Sequence, residues 1–358
     1  MRIALVCPRY PPLRGGIETH VRALAAELVE RGCEVEVLTQ VTRGEAAEAG
    51  EATEGKVVVR RFTVPGRNER FVIAPRLLRG LWAGDYDVVH AHDYVPLASA
   101  SAFCAKGALI YTPHYHRNRG RTPFKRAANA AFRPFADAAF RRADAVVCVT
   151  EAEARVVRED RRQAAGKIEV IPNGTVRRPP PAPELPAGSL LSLGRLVGYK
   201  NVDAVIRALP RLDGSVRLRV VGDGPAREEL ERLAGGLGLE SRVEFTGAVS
   251  DDEVARALAE AGVLASMSTE EAFGLAPLDA LACGLRVVAS DIPAHRELAE
   301  RWGAGRMELV GSGDHEALAR ALDEALADRV RKVPAGLPDW SDVAGLTLEL
   351  YRRVVAAR

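Results

Sequence analysis

Two carboxylates frame a glycine-containing turn in VLASMSTEEAFGLAPLDALACGLRVVAS, residues 263–290. Glu271 leads into Ala272, Phe273, Gly274 and Leu275, whose backbone N–H groups can point out of the turn, and Asp279 follows inside the first turn of the expected helix 276–283. Gly274 has no Cβ, so a ligand can approach the main chain closely there. Carboxylates accept hydrogen bonds from sugar hydroxyls, while a helix N-terminus with free amides favours phosphate, so the stretch suits a polyhydroxylated, phosphorylated molecule. Paired glutamates also decorate plain surface loops, and an acid early in a helix can simply answer its dipole. Neighbouring turns must decide.

In LLSLGRLVGYKN, residues 190–201, Gly194 ends a strand pattern, and Arg195 and Lys200 follow before a helix that begins near Asn201. Two fixed cations beside helix N-termini offset the charge of a departing diphosphate without a metal. VVGDGPAREEL, residues 220–230, forms a tight turn into another helix, but GDGPAR lacks the third glycine of a dinucleotide fingerprint. A structural turn explains it equally well. In the first half, Gly15 and Gly16 lie between the first strand and its helix, where phosphate is favoured. Glu18, Thr19 and His20 open that helix. His90, His92, Asp93, His114 and His116 gather on two strand ends. Alternation sends His90 and His92 to one face, yet nothing fixes a third ligand, so no metal is expected. Asp85–Tyr86–Asp87 precedes its strand and reads as a solvated turn.

The elements that must position these groups alternate. Strands are expected over residues 2–7, 35–39, 57–62, 87–91, 109–112, 145–149 and 168–171, with a helix over 17–31 and a polar loop over 45–55. This pattern predicts a parallel sheet with helices on both faces. Residues 177–188, RRPPPAPELPAG, carry five prolines and read as a stiff linker. The alternation then restarts, with strands over 190–193, 217–221, 243–245, 263–265 and 286–289 and helices over 202–209, 226–234, 251–261 and 276–283, a second doubly wound domain. Residues 340–358 read as a helix with Leu346, Leu350, Tyr351 and Val354 on its buried stripe.

A chain of 358 residues with 47% hydrophobic content suits two soluble domains of roughly 150–200 residues each. No apolar run approaches the roughly 18 residues that span a bilayer, and MRIALVCPRY enters a strand directly, so a cytoplasmic location is expected. The five scattered cysteines read as reduced core fillers. Residues 1–176 hold 27 basic against 20 acidic side chains, and residues 177–358 hold 23 against 28. Much of the first excess lies in residues 117–142, where eight basic residues meet Asp137 alone among Phe124, Phe132, Phe135 and Phe140. Such a segment suits peripheral contact with an anionic membrane at its inner face, or is an ordinary helix with phenylalanines inside and arginines solvated. Nucleic acid is not an expected partner, because the second half is acidic and no nucleic-acid motif occurs.

GRLVGYKN, VVGDGP, VEFTGAVSDDEV and EAFGLAPLDALACG, in that order and spacing, resemble the carboxyl-terminal domain of the family 4 retaining glycosyltransferases of GT-B architecture. PRYPPLRGGIETHV, DVVHAHD and YTPHYH resemble the amino-terminal strand-end motifs of the same family. The resemblance implies an α/β fold of two Rossmann-like domains facing across a cleft: an acceptor-side domain over 1–176, the linker over 177–188, a nucleotide-sugar domain over 189–338, and a terminal helix over 339–358 packing back toward the first. It implies transfer of a hexosyl-type sugar, with retention, from a UDP- or GDP-linked donor to a small-molecule or lipid-linked hydroxyl. The nucleotide sugar is a co-substrate, and no cofactor or metal is implied.

Carried over residue by residue, Arg195 and Lys200 match the diphosphate-binding pair, Glu271 the first acid of the E-x7-E motif, and Phe273, Gly274 and Leu275 the turn that meets sugar and phosphate. Asp279 stands where a second Glu binds ribose, and it reaches roughly 1.5 Å less far. Gly16 would touch the donor phosphate or the acceptor, and His114 matches the histidine near the reacting sugar. Gly15, His20, His92 and His116 are acceptor-side candidates, and main-chain atoms near 246–249 would read the base. A nucleotide-sugar epimerase of the same architecture is the alternative. An NAD-dependent oxidoreductase lacks its glycine fingerprint, and a binding protein without activity rests on Asp279 alone.

Overall fold

A computed structural model of the chain describes residues 1–13, 15–44, 49–65, 72–115, 123–175, 185–303 and 305–358, with backbone alone at 123–129. His116 and most of the proline-rich stretch, residues 177–184, lie outside the described residues. The chain divides into two compact units: Met1–Gly174 with Trp340–Arg358, and Thr175–Asp339.

The first unit holds β1 (Arg2–Val6), α1 (Gly16–Glu30), β2 (Glu34–Thr42), β3 (Gly50–Glu54), β4 (Val57–Val64), α2 (Pro75–Ala83), β5 (Val88–His92), α3 (Pro96–Cys104), β6 (Ala108–Thr112), α4 (Pro123–Arg142), β7 (Ala145–Cys148), α5 (Glu151–Asp160) and β8 (Ile168–Val170). Runs such as VVHAH and ALIYT are buried at every position, because a parallel strand covered on both faces has no solvent side to fill with polar residues. The sheet order is β3-β4-β2-β1-β5-β6-β7-β8. Only β3 runs antiparallel, against β4. It lies within the stretch expected to be a polar loop: GEATE is exposed along nearly its whole length, so it has no apolar pattern to read, and pairing with β4 supplies its order instead. Two of its glutamates form ion pairs with Arg60 and Arg61 of β4.

The second unit holds β9 (Ser189–Leu193), α6 (Val202–Ala208), β10 (Arg217–Val221), α7 (Arg227–Gly236), β11 (Val243–Gly247), α8 (Asp251–Glu260), β12 (Val263–Ser266), α9 (Leu275–Ala282), β13 (Arg286–Ser290), α10 (Pro293–Leu298), β14 (Met307–Val310) and α11 (His315–Ala327). Its six strands are all parallel in the order β11-β10-β9-β12-β13-β14. The sixth strand and α11 were not among the expected elements. MELV is only partly buried, which weakens the apolar signal of an edge strand. Ser250 caps α8 in a reciprocal box with Glu253, so its start is locally encoded.

The last helix, α12 (Trp340–Ala356), belongs to the first unit and packs on α1. Its buried side is Trp340, Val343, Ala344, Thr347, Leu348, Leu350 and Tyr351, whereas Leu346 is exposed. The expected stripe was therefore out of phase at Leu346. Polar Thr347 turns inward because its hydroxyl donates to the Val343 carbonyl, which removes the cost of burial. All five cysteines are free thiols, and Cys104 alone is not fully buried. In the Asp85–Asp87 turn, Asp87 accepts a bond from the Arg2 amide at 2.7 Å and so ties down the start of β1. Along α4, Phe140 is buried in the core while Phe135 stacks on exposed Phe103 at its surface.

One turn of the second unit is held by backbone approach alone. A Cβ on Gly222 would lie 2.0 Å from the Gly194 carbonyl oxygen, and one on Gly224 would lie 2.3 Å from that of Leu196. Both glycines have positive φ. GDGP is thus a packing turn that lets the loop after β9 lie directly on the loop after β10. Gly222→Ala should lower the stability of this unit by about 2–4 kcal/mol, against at most about 1 kcal/mol of either sign for Gly236→Ala in open space on α7. Urea unfolding of the two variants beside the parent chain checks the contrast.

Candidate active site

In the second sheet the winding order reverses at β9: β10 and β11 lie to one side, β12 to β14 to the other. Loops leaving neighbouring strands in opposite directions open a crevice at the carboxyl ends, the place where doubly wound sheets bind ligands. A small, open hollow lies there, lined by Ser192, Gly194, Arg195, Lys200, Ser266 and Ser268 among others. Gly194, at φ +144°, ends β9 and turns the chain, and Asn201 adopts a left-handed conformation between a short 3₁₀ turn and α6. Asparagine is one of the few side chains at ease in that conformation. This turn carries Lys200.

Lys200 Nζ lies 2.5 Å from Glu271 Oε1, and the two side chains are 22% and 16% exposed. Ser268 Oγ donates to the same carboxylate oxygen at 2.8 Å. Burial alone would raise the Glu271 pKa, but the Lys200 charge, its hydrogen bond and that of Ser268 outweigh it and hold the group below its ordinary value. Lys200 mirrors this: burial alone would lower it, and Glu271 more than offsets the effect. Arg195 is exposed on the rim of the hollow. The structure therefore places Arg195, Lys200 and Glu271 around one small space.

Phe273 is buried beside Trp302, Gly274 caps α9 in a left-handed conformation at φ +107°, and Leu275 is the first helical residue. Because α9 starts at Leu275, Asp279 stands beyond its first turn, contrary to expectation. Its carboxylate accepts a bond from Thr175 Oγ at 2.7 Å. A residue absent from the expected set also stands here. His295, fully buried in α10, holds its Nδ1 2.9 Å from the Ser290 carbonyl oxygen, and its ring lies against the Gly274 turn. A histidine just after a strand end, in SDIPAHREL, was the signal that could have found it.

The first unit gathers imidazoles at the ends of β5 and β6 and along α1. His90 and His92 have ring centroids 4.0 Å apart, His20 lies 5.2 Å from His92 and 5.3 Å from His114, and His114 lies 6.0 Å from His92. His20 Nδ1 is 2.7 Å from Asn173 Oδ1. Burial pushes the His20 pKa down to about 4 against the opposing pull of Asn173, and drives His90 and His92 well below their ordinary range. These three rings are neutral at pH 7. His90 is held between Tyr351 Oη at 2.6 Å and Thr112 Oγ1 at 2.7 Å, whereas neither nitrogen of His92 has a hydrogen-bond partner among the described residues. Gly15 makes room for the Glu18 carboxylate, which would lie 2.4 Å from a Cβ there, and Gly16 begins α1.

His114 sits at φ +45° in a loop pinned by Glu153, whose carboxylate accepts the Tyr115 amide at 2.5 Å and the Val149 amide at 2.8 Å. Glu153 was likewise missing from the expected residues, and nothing in EAEARVV distinguishes it from a first-turn glutamate. Among the described residues, no group of three or more His, Cys, Asp or Glu is arranged to hold a metal ion.

A model of Glycosyltransferase Family 4 matches residues 14–176, and a model of glycosyl transferases group 1 matches residues 182–335. The phosphatidyl-myo-inositol mannosyltransferase of Mycobacterium leprae is 30% identical over 384 aligned residues, covering 100% of this chain and 98% of that one. Among solved structures, sucrose-phosphate synthase from Thermosynechococcus elongatus superposes with a TM-score of 0.77 at 21% identity, over 100% of both chains. HepE from Anabaena, in complex with UDP and glucose, gives 0.74 at 21% identity, over 98% of this chain and 99% of that one. None of these favours the epimerase alternative. With both halves matched in order and a relative alike along its whole length, the chain belongs to the family 4, group 1 glycosyltransferases, and its architecture is GT-B.

Proposed function

We propose that this glycosyltransferase moves a hexosyl-type sugar from a UDP- or GDP-linked donor to a hydroxyl of a lipid-linked or anionic acceptor, with retention of configuration. The observation that carries the reading is the Lys200–Glu271 pair, set with Arg195 around the hollow at the ends of β9 and β12. Cations there suit a diphosphate, and an ionised carboxylate beside them suits the hydroxyls of a sugar. The mannosyltransferase relative, named for phosphatidyl-myo-inositol, supports a hexose and a lipid-linked acceptor. HepE, held with UDP and glucose in the same fold, supports a nucleotide diphosphate donor.

In this reading the second unit is the nucleotide-sugar domain. Arg195 and Lys200 stabilise the leaving diphosphate, Glu271 and the turn of Phe273, Gly274 and Leu275 hold the sugar, and the acceptor hydroxyl attacks on the face from which the phosphate departs. Asp279 serves the ribose only if it exchanges its bond to Thr175 for one to the ligand. In the first unit, His114 attends the reacting sugar, Gly16 meets phosphate, and Gly15, His20, His92 and His116 serve the acceptor. A neutral His20 with its proton committed to Asn173 keeps a lone pair on Nε2 for an acceptor hydroxyl. The reading uses no metal, because the two cations already offset the developing charge.

Membrane contact is proposed through residues 117–142, of which 117–122 and the side chains of 123–129 lie outside the described residues; in the remainder Arg133 and Phe135 are exposed, and Phe135 stacks on exposed Phe103. No helix among the described residues is long and apolar enough to cross a membrane.

A panel of UDP- and GDP-linked hexoses, offered with phosphatidylinositol as acceptor, tests the reaction. Lys200→Ala and Arg195→Ala should each lower donor kcat/KM by about 10²–10³, and near-normal rates in both would reject the diphosphate role. The pair also carries a pH signature. A carboxylate whose folded pKa is depressed stabilises the fold fully above its ordinary value of 4.5 and loses that contribution as pH falls through the lower, folded value. The stability gap between the parent chain and Lys200→Met/Glu271→Gln should therefore shrink below pH 4.5, as read by urea titrations across an acid series.

A further inference from the structure

The two ring nitrogens of His295 have opposite surroundings. Nδ1 faces the Ser290 carbonyl oxygen at 2.9 Å and Ser290 Oγ at 3.2 Å. A carbonyl only accepts, and the Ser290 hydroxyl proton is given to the Ser268 carbonyl, so the imidazole proton resides on Nδ1. Nε2 is left with a lone pair. That atom is buried and has no hydrogen-bond partner among the described residues. It faces the turn after Glu271: a Cβ placed on Gly274 would lie 3.5 Å from Nε2 and 3.3 Å from Cδ2. Burial lowers the His295 pKa and outweighs the attraction of Glu271, so the ring stays neutral.

A buried lone pair without a donor is costly, and the cost disappears when a donor arrives. Ionised phosphate oxygens only accept, so the diphosphate is the wrong part of the proposed donor for this atom. Lys200 and Arg195 offer only donors and suit that part. A sugar hydroxyl does donate, and Glu271, within electrostatic reach of the ring, is a second acceptor beside it.

The geometry points to His295 as a specificity-determining contact for the donor sugar: its Nε2 accepts a hydrogen bond from a hydroxyl of the transferred group, over the space that Gly274 leaves by having no side chain. This rests on the nucleotide-sugar reading above. The Gly274 turn, the Ser268–Ser290 link and His295 thus act as one wall that reads the sugar and ignores the nucleotide.

The test is calorimetric titration of the full chain with UDP-glucose, GDP-mannose, UDP and GDP. His295→Phe keeps the ring volume but loses the lone pair, and should weaken the sugar-bearing ligand about tenfold while changing the free nucleotide less than about twofold, the scale of one neutral hydrogen bond. His295→Gln, with an amide oxygen near the place of Nε2, should recover to within about threefold. If the phenylalanine variant does not fold, His295→Asn takes its place, since its amide keeps a donor to Ser290 but has no atom at Nε2. Equal weakening of nucleotide and nucleotide sugar, or no weakening of either, would overturn the inference. If the parent chain binds none of the four ligands, the nucleotide-sugar reading itself falls and this contact with it.

Discussion

The structure depends on a topological constraint: in the second sheet the chain must leave β9 toward β10 on one side and later return to pair β12 on the other. No connection crosses the mouth between β9 and β12, so their carboxyl ends stay open. Everything placed at those ends faces the same space, which is why Gly194, Lys200, Ser268 and Glu271 meet although up to 77 residues separate them in sequence. The first sheet reverses in the same way beside β1, and His90 and His92 on β5 stand at that reversal. A parallel sheet of buried aliphatic strands is rigid enough to fix such groups, because neither face can slip without exposing its core.

Within that opening, the Lys200–Glu271 contact sets the electrostatics. Two charges this shielded from water are tolerated because each neutralises the other, and Ser268 satisfies a further lone pair of the carboxylate. A bound anion would draw on Lys200 and free Glu271 for another donor, so one pair can serve both ends of a phosphorylated sugar. Behind it, Ser290 and His295 continue the polar chain along the end of β13. Gly222 and Gly224 keep the loop that bears Lys200 pressed against the sheet.

The fold class was legible because alternating apolar runs and helical periods recur in both halves, and because turn signals such as GGIE and GDGP fall between them. β14 was missed because an edge strand shows little apolar pattern. β3 was missed because its order comes from its partner and not from its own residues. At the site, Arg195, Lys200 and Glu271 could be read because charge, glycine and strand end coincide in short motifs. His295 and Glu153 could not, since their meaning lies in contacts made across the fold: with Ser290 and the Gly274 turn in one case, with the amides of Tyr115 and Val149 in the other. Asp279 was misplaced by one element boundary, and the bond from Thr175 was invisible until the chain was folded.

α12 carries a consequence for biogenesis. Its Tyr351 hydroxyl caps His90, and its face covers α1, yet it is translated only after all of the second unit has been synthesised. The unit begun first on the ribosome is therefore completed last, and until then the His90 ring and one side of α1 lack their cover. The second unit, contiguous in sequence, has no such wait. A released chain ending before residue 340 would hold one complete lobe and one lacking the cover of its last helix.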